Sequence, residues 1–267
     1  MSSEKFFNTK KALITLIAAS LVVIVSLGIR QTFGLFFFDF NTDLDISISH
    51  FGFVIGLQLL MWGVFSPVFG FITDKYGGAT AIFIGFIFYL AGLLMFYSGL
   101  NTGYLFTLTI GLLIGIGLGG TAISIPVSVV AKHFPSSNRT IATGIVTCAG
   151  SFGFFVSPLL VRYSLIEIGW EITILYFCFL LGIGLITALF ISTPKTPVGT
   201  NDNNNQTAKE ALIEALSNKS FIFLTLGFFV CGWHIALVAT HIPTYIMDRG
   251  LPDWTAAMIL ALVGVFN

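Results

Sequence analysis

The feature that most constrains this 267-residue chain is its run of long apolar stretches separated by short polar ones. They cover about 12–38, 51–73, 79–99, 103–131, 140–163, 171–192 and 221–247, and an eighth begins near 254. A helix that crosses a bilayer needs roughly 20 mostly apolar residues, and each of the first seven meets that length. The chain is 56% hydrophobic and 9% charged, where soluble domains are about a quarter charged. A water-soluble globule is excluded. The first stretch follows Lys5, Lys10 and Lys11 as a signal peptide would. It is longer than the roughly 7–15 apolar residues of a signal core, and further spans follow, so it reads as a retained first helix. The fold class is therefore an all-α polytopic membrane protein.

Net charge is zero, which gives no reason to expect nucleic-acid binding. Cys148, Cys178 and Cys231 sit in apolar stretches without metal-ligand spacing and read as buried thiols. No metal and no cofactor is expected.

A polar gap after the sixth stretch holds the run Asn201-Asp202-Asn203-Asn204-Asn205-Gln206, of low complexity and expected to be mobile. From Thr207 to Leu216 the spacing of Ala211, Leu212, Ala215 and Leu216 predicts a short helix on the membrane surface. The organisation expected is a six-helix bundle over 1–192, a cytoplasmic linker over 193–219, and the start of a second bundle over 220–267. Spans 1 and 7 carry a weak internal similarity. Phe38-Asp39 is followed by Ser47 and Gly56, and Met247-Asp248 by Thr255 and Gly264. On that register Trp254 opens the counterpart of span 2. The fourteen residues to Asn267 make only about 20 Å of helix against a core of roughly 30 Å, so the expectation is a carrier truncated within helix 8.

Orientation follows from the basic residues. With a cytoplasmic amino terminus, the inner segments hold Lys5, Lys10, Lys11, Lys75, Lys132, Arg139, Lys195, Lys209 and Lys219. The outer segments hold Arg162 and Arg249, and Arg30 lies inside span 1. The membrane expected is a bacterial inner (plasma) membrane. The glycosylation-like triplets at Asn138, Asn205 and Asn218 then fall on the cytoplasmic side and read as chance.

Between spans 2 and 3 the chain reads Gly70-Phe71-Ile72-Thr73-Asp74-Lys75-Tyr76-Gly77-Gly78. A helix leaves the bilayer, reverses and re-enters here. Glycines permit the turn, and Asp74 and Lys75 pin it in the headgroup and water layer. Further stretches are Gly28-Ile29-Arg30-Gln31-Thr32-Phe33-Gly34-Leu35-Phe36-Phe37 in span 1 and Gly115-Ile116-Gly117-Leu118-Gly119-Gly120 in span 4. Lys132-His133-Phe134-Pro135, Arg139 and Ala142-Thr143-Gly144 follow. Span 7 has Cys231-Gly232-Trp233-His234 and Thr240-His241-Ile242-Pro243-Thr244-Tyr245.

Together these resemble the major facilitator superfamily of secondary transporters. The branch they are most similar to contains oxalate/formate antiporters and monocarboxylate carriers. The resemblance implies two six-helix bundles around a cavity that opens alternately to each side. It implies that Gly70, Asp74, Lys75, Gly77 and Gly78 form a conformational loop. Asp74 would act as a latch that meets a helix amino terminus or a basic residue in one state, with a partner that could lie in the second bundle. Two departures stand out. Ala79 and Thr80 follow Gly78 where the family often has basic residues, and span 5 lacks the Gly-Pro-x-x-Gly-Gly ending of drug/proton antiporters.

Arg30 is eighteen residues past Ala12, about 27 Å along the helix. An arginine at that depth faces a cavity or a partner, or snorkels to the interface. Its planar fork suits a carboxylate, and Gln31 could add a donor. The expected substrate site is Arg30, Gln31 and His234. His234 lies about 20 Å into span 7, as a proton carrier or a neutral interhelical partner. His241 reads as structural. The glycines of span 4 read as packing surfaces, and Pro126 and Pro158 as kinks. Gln58, Trp62 and Ser124 are possible cavity residues.

The functional expectation is alternating-access transport of a small solute, an organic anion such as a monocarboxylate, coupled to a proton or a counter-anion. The rivals are a carrier of a non-carboxylate solute and an inactive or regulatory membrane fragment. A membrane enzyme is disfavoured: the spans show no His-x-x-x-His pair, acidic metal cluster or nucleophile with a base.

Overall fold

The computed structural model describes residues 10–98, 103–192 and 208–267, and among these every regular element is helical. Span 1 covers Lys10–Leu44, span 2 Ile48–Tyr76, span 3 Gly78–Tyr97 and span 4 Gly103–His133. Spans 5 and 6 are the two arms of the helical run Ser136–Ala188, which reverses at Gly169 with φ 81° and ψ 171°. Span 7 is Lys219–Asp248, and an eighth helix covers Asp253–Phe266. All the long helices are apolar enough to cross a membrane. A surface helix, Ala208–Ser217, precedes span 7. The Asn-rich run lies outside the described residues.

Small residues decide which spans touch. A Cβ on Gly117 of span 4 would lie 2.7 Å from the Gly85 carbonyl oxygen of span 3. One on Gly115 would lie 2.6 Å from the Gln58 carbonyl oxygen of span 2. Any larger side chain would push these backbones apart, so span 4 packs between spans 2 and 3. Spans 1 and 5 meet in the same way, with Gly153 against the backbone of Ile24.

The core is built mainly by spans 1 to 6, and Ala239 and Ile246 of span 7 and Ala256, Ala257 and Leu260 of the eighth helix join it. Toward the Leu44 end of span 1 it becomes a knot of aromatic rings. Phe40 meets Phe36, Phe96, Phe106 and Trp170 at centroid distances of 5.2–5.7 Å. The Trp170 indole N–H donates to Asp43 Oδ2 at 2.7 Å, which gives the ring's polar tip a partner. At the other end a second cluster is polar. His133 Nε2 and Ser192 Oγ are 2.8 Å apart, and Thr15 Oγ1 lies 3.1 Å from the same hydroxyl. Spans 1, 4 and 6 are joined there.

Span 7 touches the rest along its Asp248 half only. Ala239, Thr240, Pro243, Thr244 and Ile246 are buried, whereas the stretch from Lys219 to His234 is exposed. The eighth helix returns along span 5, where Gly264 sits against the backbone of Phe154 and Phe155.

Candidate functional site

Span 1 is not one continuous α-helix. The α-helical part ends at Gln31, a 3-10 turn covers Phe33–Phe36, and α-helix resumes at Phe37. Thr32 sets the break. Its amide and its hydroxyl both donate to the Ile29 carbonyl, at 3.1 and 2.8 Å. A threonine hydroxyl that competes for a backbone acceptor loosens the α ladder at that point. Leu35 N–H then donates to the Thr32 carbonyl at 2.9 Å, the tighter 3-10 pattern.

Arg30 and Gln31 lie immediately before this break. Arg30 is 4% exposed and Gln31 is fully buried. Arg30 Nε and Nη2 have no hydrogen-bond partner, nor has either polar atom of the Gln31 amide. Nε–H and Nη2–H leave a guanidinium parallel to each other along one edge. That edge matches two oxygens of a planar anion. Tyr89 of span 3, also buried, turns its hydroxyl to the Ser26 carbonyl of span 1, at 3.4 Å. A buried charge left without a counter-charge or hydrogen bonds costs several kcal/mol. The free guanidinium edge has the geometry to donate to two coplanar oxygens.

The structure does not bring His234 to this pair. His234 is exposed on span 7, and its Nδ1–H donates to the Val230 carbonyl one turn back, at 2.9 Å. His241, two turns further on, lines a cavity of about 860 Å³ between spans 2 and 7. Gly52, Ile55 and Trp62 contribute from span 2, and Phe229, Trp233 and His241 from span 7. His241 is the one titratable side chain in that lining. Of the other cavity candidates, Trp62 lines it, while Gln58 is buried and donates from Nε2 to the Ile110 carbonyl at 2.9 Å. Ser124 is exposed and outside it.

The two regions meet at Gly34. A Cβ there would collide with the Ala239 carbonyl oxygen and would reach Thr240 O and Pro243 Cγ at 3.2 Å. The 3-10 turn of span 1 thus lies directly on the backbone of span 7, one turn from Arg30.

The loop motif divides into parts with different tasks. Gly77 holds φ 96° and ψ 154°, a conformation that residues with a Cβ rarely adopt. Its N–H donates to the Thr73 carbonyl at 3.0 Å. Gly78 is buried and opens span 3. Gly70 faces open space, with nothing within 4 Å of where a Cβ would sit. Lys75 folds over the rings of Tyr76 and Phe71, at 5.1 and 5.9 Å. Asp74 Oδ1 accepts a hydrogen bond from Lys132 Nζ at 2.7 Å. That partner belongs to span 4, within the first six helices.

Sequence reasoning missed Tyr89 and Lys132 as neighbours, because neither lies near its partner in the chain. It also missed a π-helical stretch, Thr107–Leu113. The wider turn is braced by Gln58 on the Ile110 carbonyl, and such turns are common at functional positions.

Matches to known proteins agree with this architecture. The family model for the Major Facilitator Superfamily matches residues 17–267. This chain belongs to the major facilitator superfamily, a family of transporters rather than enzymes. It is similar to the MFS-type transporter opdF of Penicillium oxalicum, 24% identical over 261 residues, 96% of this chain and 59% of the relative. It is similar to the "Probable nitrate transporter NarT" of Staphylococcus epidermidis, 23% identical over 215 residues, 78% of this chain and 51% of the relative. Monocarboxylate transporter 6 of Mus musculus is 24% identical over 282 residues, 96% of this chain and 58% of the relative. Among solved structures it resembles a bacterial homologue of the human lysosomal transporter Spinster, in an inward-facing and unoccupied conformation. The TM-score is 0.66 at 18% identity, over 96% of this chain and 60% of that one. The chain thus spans under two thirds of the length of the curated relatives it matches.

Proposed function

We propose that the protein is a secondary transporter of a small organic anion, foremost a monocarboxylate, working by alternating access with Arg30 as the anion's anchor. The observation that carries this reading is the Arg30 guanidinium edge, buried with Nε and Nη2 unpartnered. Gln31 adds a second unpartnered group beside it. Relatives named for monocarboxylates and for nitrate both handle planar oxyanions, which supports a site built around that shape. The two-bundle division is part of the proposal: residues 1–192 form the first bundle, 193–219 link it, and 220–267 begin the second. So is a cytoplasmic amino terminus, supported by nine basic residues on that side against two on the other.

In this reading the structure is open toward the cytoplasm. Span 7 is seated on Gly34 at its outer half and stands free at its inner half. Rocking would exchange these contacts, and the Asp74–Lys132 pair marks the inner ends of spans 2 and 4 that take part.

The test is uptake into proteoliposomes by protein expressed from its whole reading frame. Labelled formate, acetate, lactate and oxalate are offered, beside Arg30→Gln and Arg30→Lys. Saturable uptake of one of these, lost in Arg30→Gln and retained with a raised KM in Arg30→Lys, is expected. Lysine keeps the charge and loses the fork. Undiminished uptake by Arg30→Gln, or no uptake of any of them, would overturn the anion reading.

A further inference from the structure

We propose that His133, Ser192 and Thr15 form a pH-sensitive clamp, which ties the inner ends of spans 1, 4 and 6 together while the His133 ring is neutral and loosens when the ring gains a proton. The hydrogen bonds define the clamp. Its exposure to cytoplasmic rather than external pH rests on the orientation in the transport reading above.

The hydrogens are placed by the atoms that can only accept. His133 Nδ1 lies 3.1 Å from the Val129 carbonyl oxygen. A carbonyl has no hydrogen to give, so Nδ1 carries one and donates it. In the neutral ring Nε2 is then a bare acceptor. It lies 2.8 Å from Ser192 Oγ, whose hydroxyl supplies the hydrogen. Ser192 Oγ in turn lies 3.1 Å from Thr15 Oγ1, and the Ser192 N–H donates to that same Thr15 oxygen at 3.2 Å. The Thr15 hydroxyl donates back to Ser192 Oγ. Every hydrogen in the circuit thus has one acceptor. Thr15 is fully buried and His133 partly buried. Ser192 is 177 positions from Thr15 and 59 from His133 in the chain, so the circuit is a tertiary junction of three helix ends.

Protonation reverses one bond and strips the next of its partner. A charged ring donates from Nε2 as well, so the Ser192 hydrogen has to turn to Thr15 Oγ1. The Thr15 hydrogen then gives up its acceptor inside a buried site, a loss larger than the worth of a hydrogen bond exchanged with water. The ring escapes by swinging off Ser192 toward water. The charges packed around it do not hold it in place. Lys132 precedes it on span 4, Lys10 and Lys11 open span 1, and Lys75 and Tyr76 end span 2. Arg139, near the start of span 5, donates from Nε to the Phe134 carbonyl at 3.4 Å. Among the described residues, the matching ends of spans 3 and 6 carry no titratable group, and Asp74 is the one acid at these six ends. Lys132 already holds Asp74 at 2.7 Å. The clamp is therefore a structure of the neutral ring. Its contribution is present above the ordinary imidazole value, about pH 6.5, and is lost progressively below it. Because Lys132 and His133 are consecutive, the helix end that the clamp holds is the one that carries the Asp74 contact.

The four histidines are His50, His133, His234 and His241, so the clamp is separable by substitution. Thermal midpoints of the protein from its whole reading frame are measured in detergent from about pH 8 to 5.5. His133→Gln, Ser192→Ala and His50→Gln are measured beside the unaltered protein. Acidification should lower the midpoint of the unaltered protein, and of His50→Gln, by about 2–4 °C more than that of His133→Gln, the size expected for one buried hydrogen bond. Ser192→Ala should start lower, because the Thr15 hydroxyl has lost its partner. It should then lose less than the unaltered protein on acidification, since no Ser192 hydrogen has to turn away. An equal acid loss in His133→Gln, or an undiminished one in Ser192→Ala, overturns the clamp, and either variant decides alone where the other fails to fold. No substrate enters this measurement. Failure of carboxylate uptake therefore removes the anion reading and leaves the clamp standing, whereas a flat pH profile in the unaltered protein removes the clamp and leaves the anion reading.

Discussion

Asp74, in the turn between spans 2 and 3, is bonded to Lys132 at the end of span 4, with Oδ1 and Nζ 2.7 Å apart and the two residues 58 positions apart in the chain. The aspartate side chain is 72% exposed and that of the lysine 26%. A pair so open to solvent adds little stability, about 0–1 kcal/mol. If it matters, it matters as a contact that one conformation keeps and another gives up.

Asp74→Asn and Lys132→Met should therefore leave the thermal midpoint almost unchanged in detergent. Uptake should fall by about fivefold or more, the size of a modest coupling energy. The reversed pair, Asp74→Lys with Lys132→Asp, should recover part of the loss. Midpoints from scanning fluorimetry and initial uptake rates check this together. A midpoint drop that matches the loss of uptake would make the pair a plain brace.

How far the sequence led depends on the range of the interaction. Apolar run length is a local property. The spans expected at 51–73, 79–99 and 221–247 are helices at Ile48–Tyr76, Gly78–Tyr97 and Lys219–Asp248. The family was legible for the same reason, since the loop motif is contiguous. Spans 5 and 6 were expected with a gap over 164–170, yet helical hydrogen bonding continues up to the reversal at Gly169. The environment of Arg30 was legible only as depth. That its Nε and Nη2 are unpartnered, while the Tyr89 hydroxyl is turned to Ser26, depends on how spans 1 and 3 are rotated. The positions of His234 and His241 relative to the cavity were ambiguous because two turns of helix bring both near one face. In the structure His241 lies beside Gly52 in the cavity lining, and His234 is not part of that lining.

Gly34 gives a direct test of the contact between spans 1 and 7. A methyl group there meets the Ala239 carbonyl oxygen, and overpacking costs about 1–3 kcal/mol. Gly34→Ala should shift the protein away from the closed outer contact by about five- to 150-fold. Thiol labelling of Thr240→Cys, buried in this structure, should accelerate accordingly in the Gly34→Ala background. Unchanged labelling would mean that span 7 slides to accommodate the methyl.

Gln58 offers two opposed effects at one residue. Gln58→Met removes the donor from the buried Ile110 carbonyl, which costs about 1–3 kcal/mol. It also removes the Gln58 Oε1, which is buried without a partner. The two partly cancel, so a small midpoint loss is expected, equivalent to about 1 kcal/mol. Gln58→Glu keeps no amide donor when ionised and buries a charge, so it should cost more than Gln58→Met. The order of the two midpoints is the measurement. The reverse order would mean that water reaches the Gln58 side chain.

The three glycines of the loop motif should respond differently to one added methyl. Gly77 sits at φ 96° with its N–H on the Thr73 carbonyl, so Gly77→Ala forces an L-residue into a strained conformation at about 1–3 kcal/mol. Gly70 is inside the helix with open space around its Cα. Gly70→Ala should be neutral or raise stability by about 0.5–1 kcal/mol, because alanine loses less backbone freedom in a helix. Gly78 is buried at the start of span 3, so Gly78→Ala should fall between the two. Thermal midpoints for the three variants give the order Gly70→Ala, Gly78→Ala, Gly77→Ala from most to least stable. Only Gly77→Ala should also open the turn to proteolysis, since strain there loosens the link between spans 2 and 3 that holds Asp74 against Lys132.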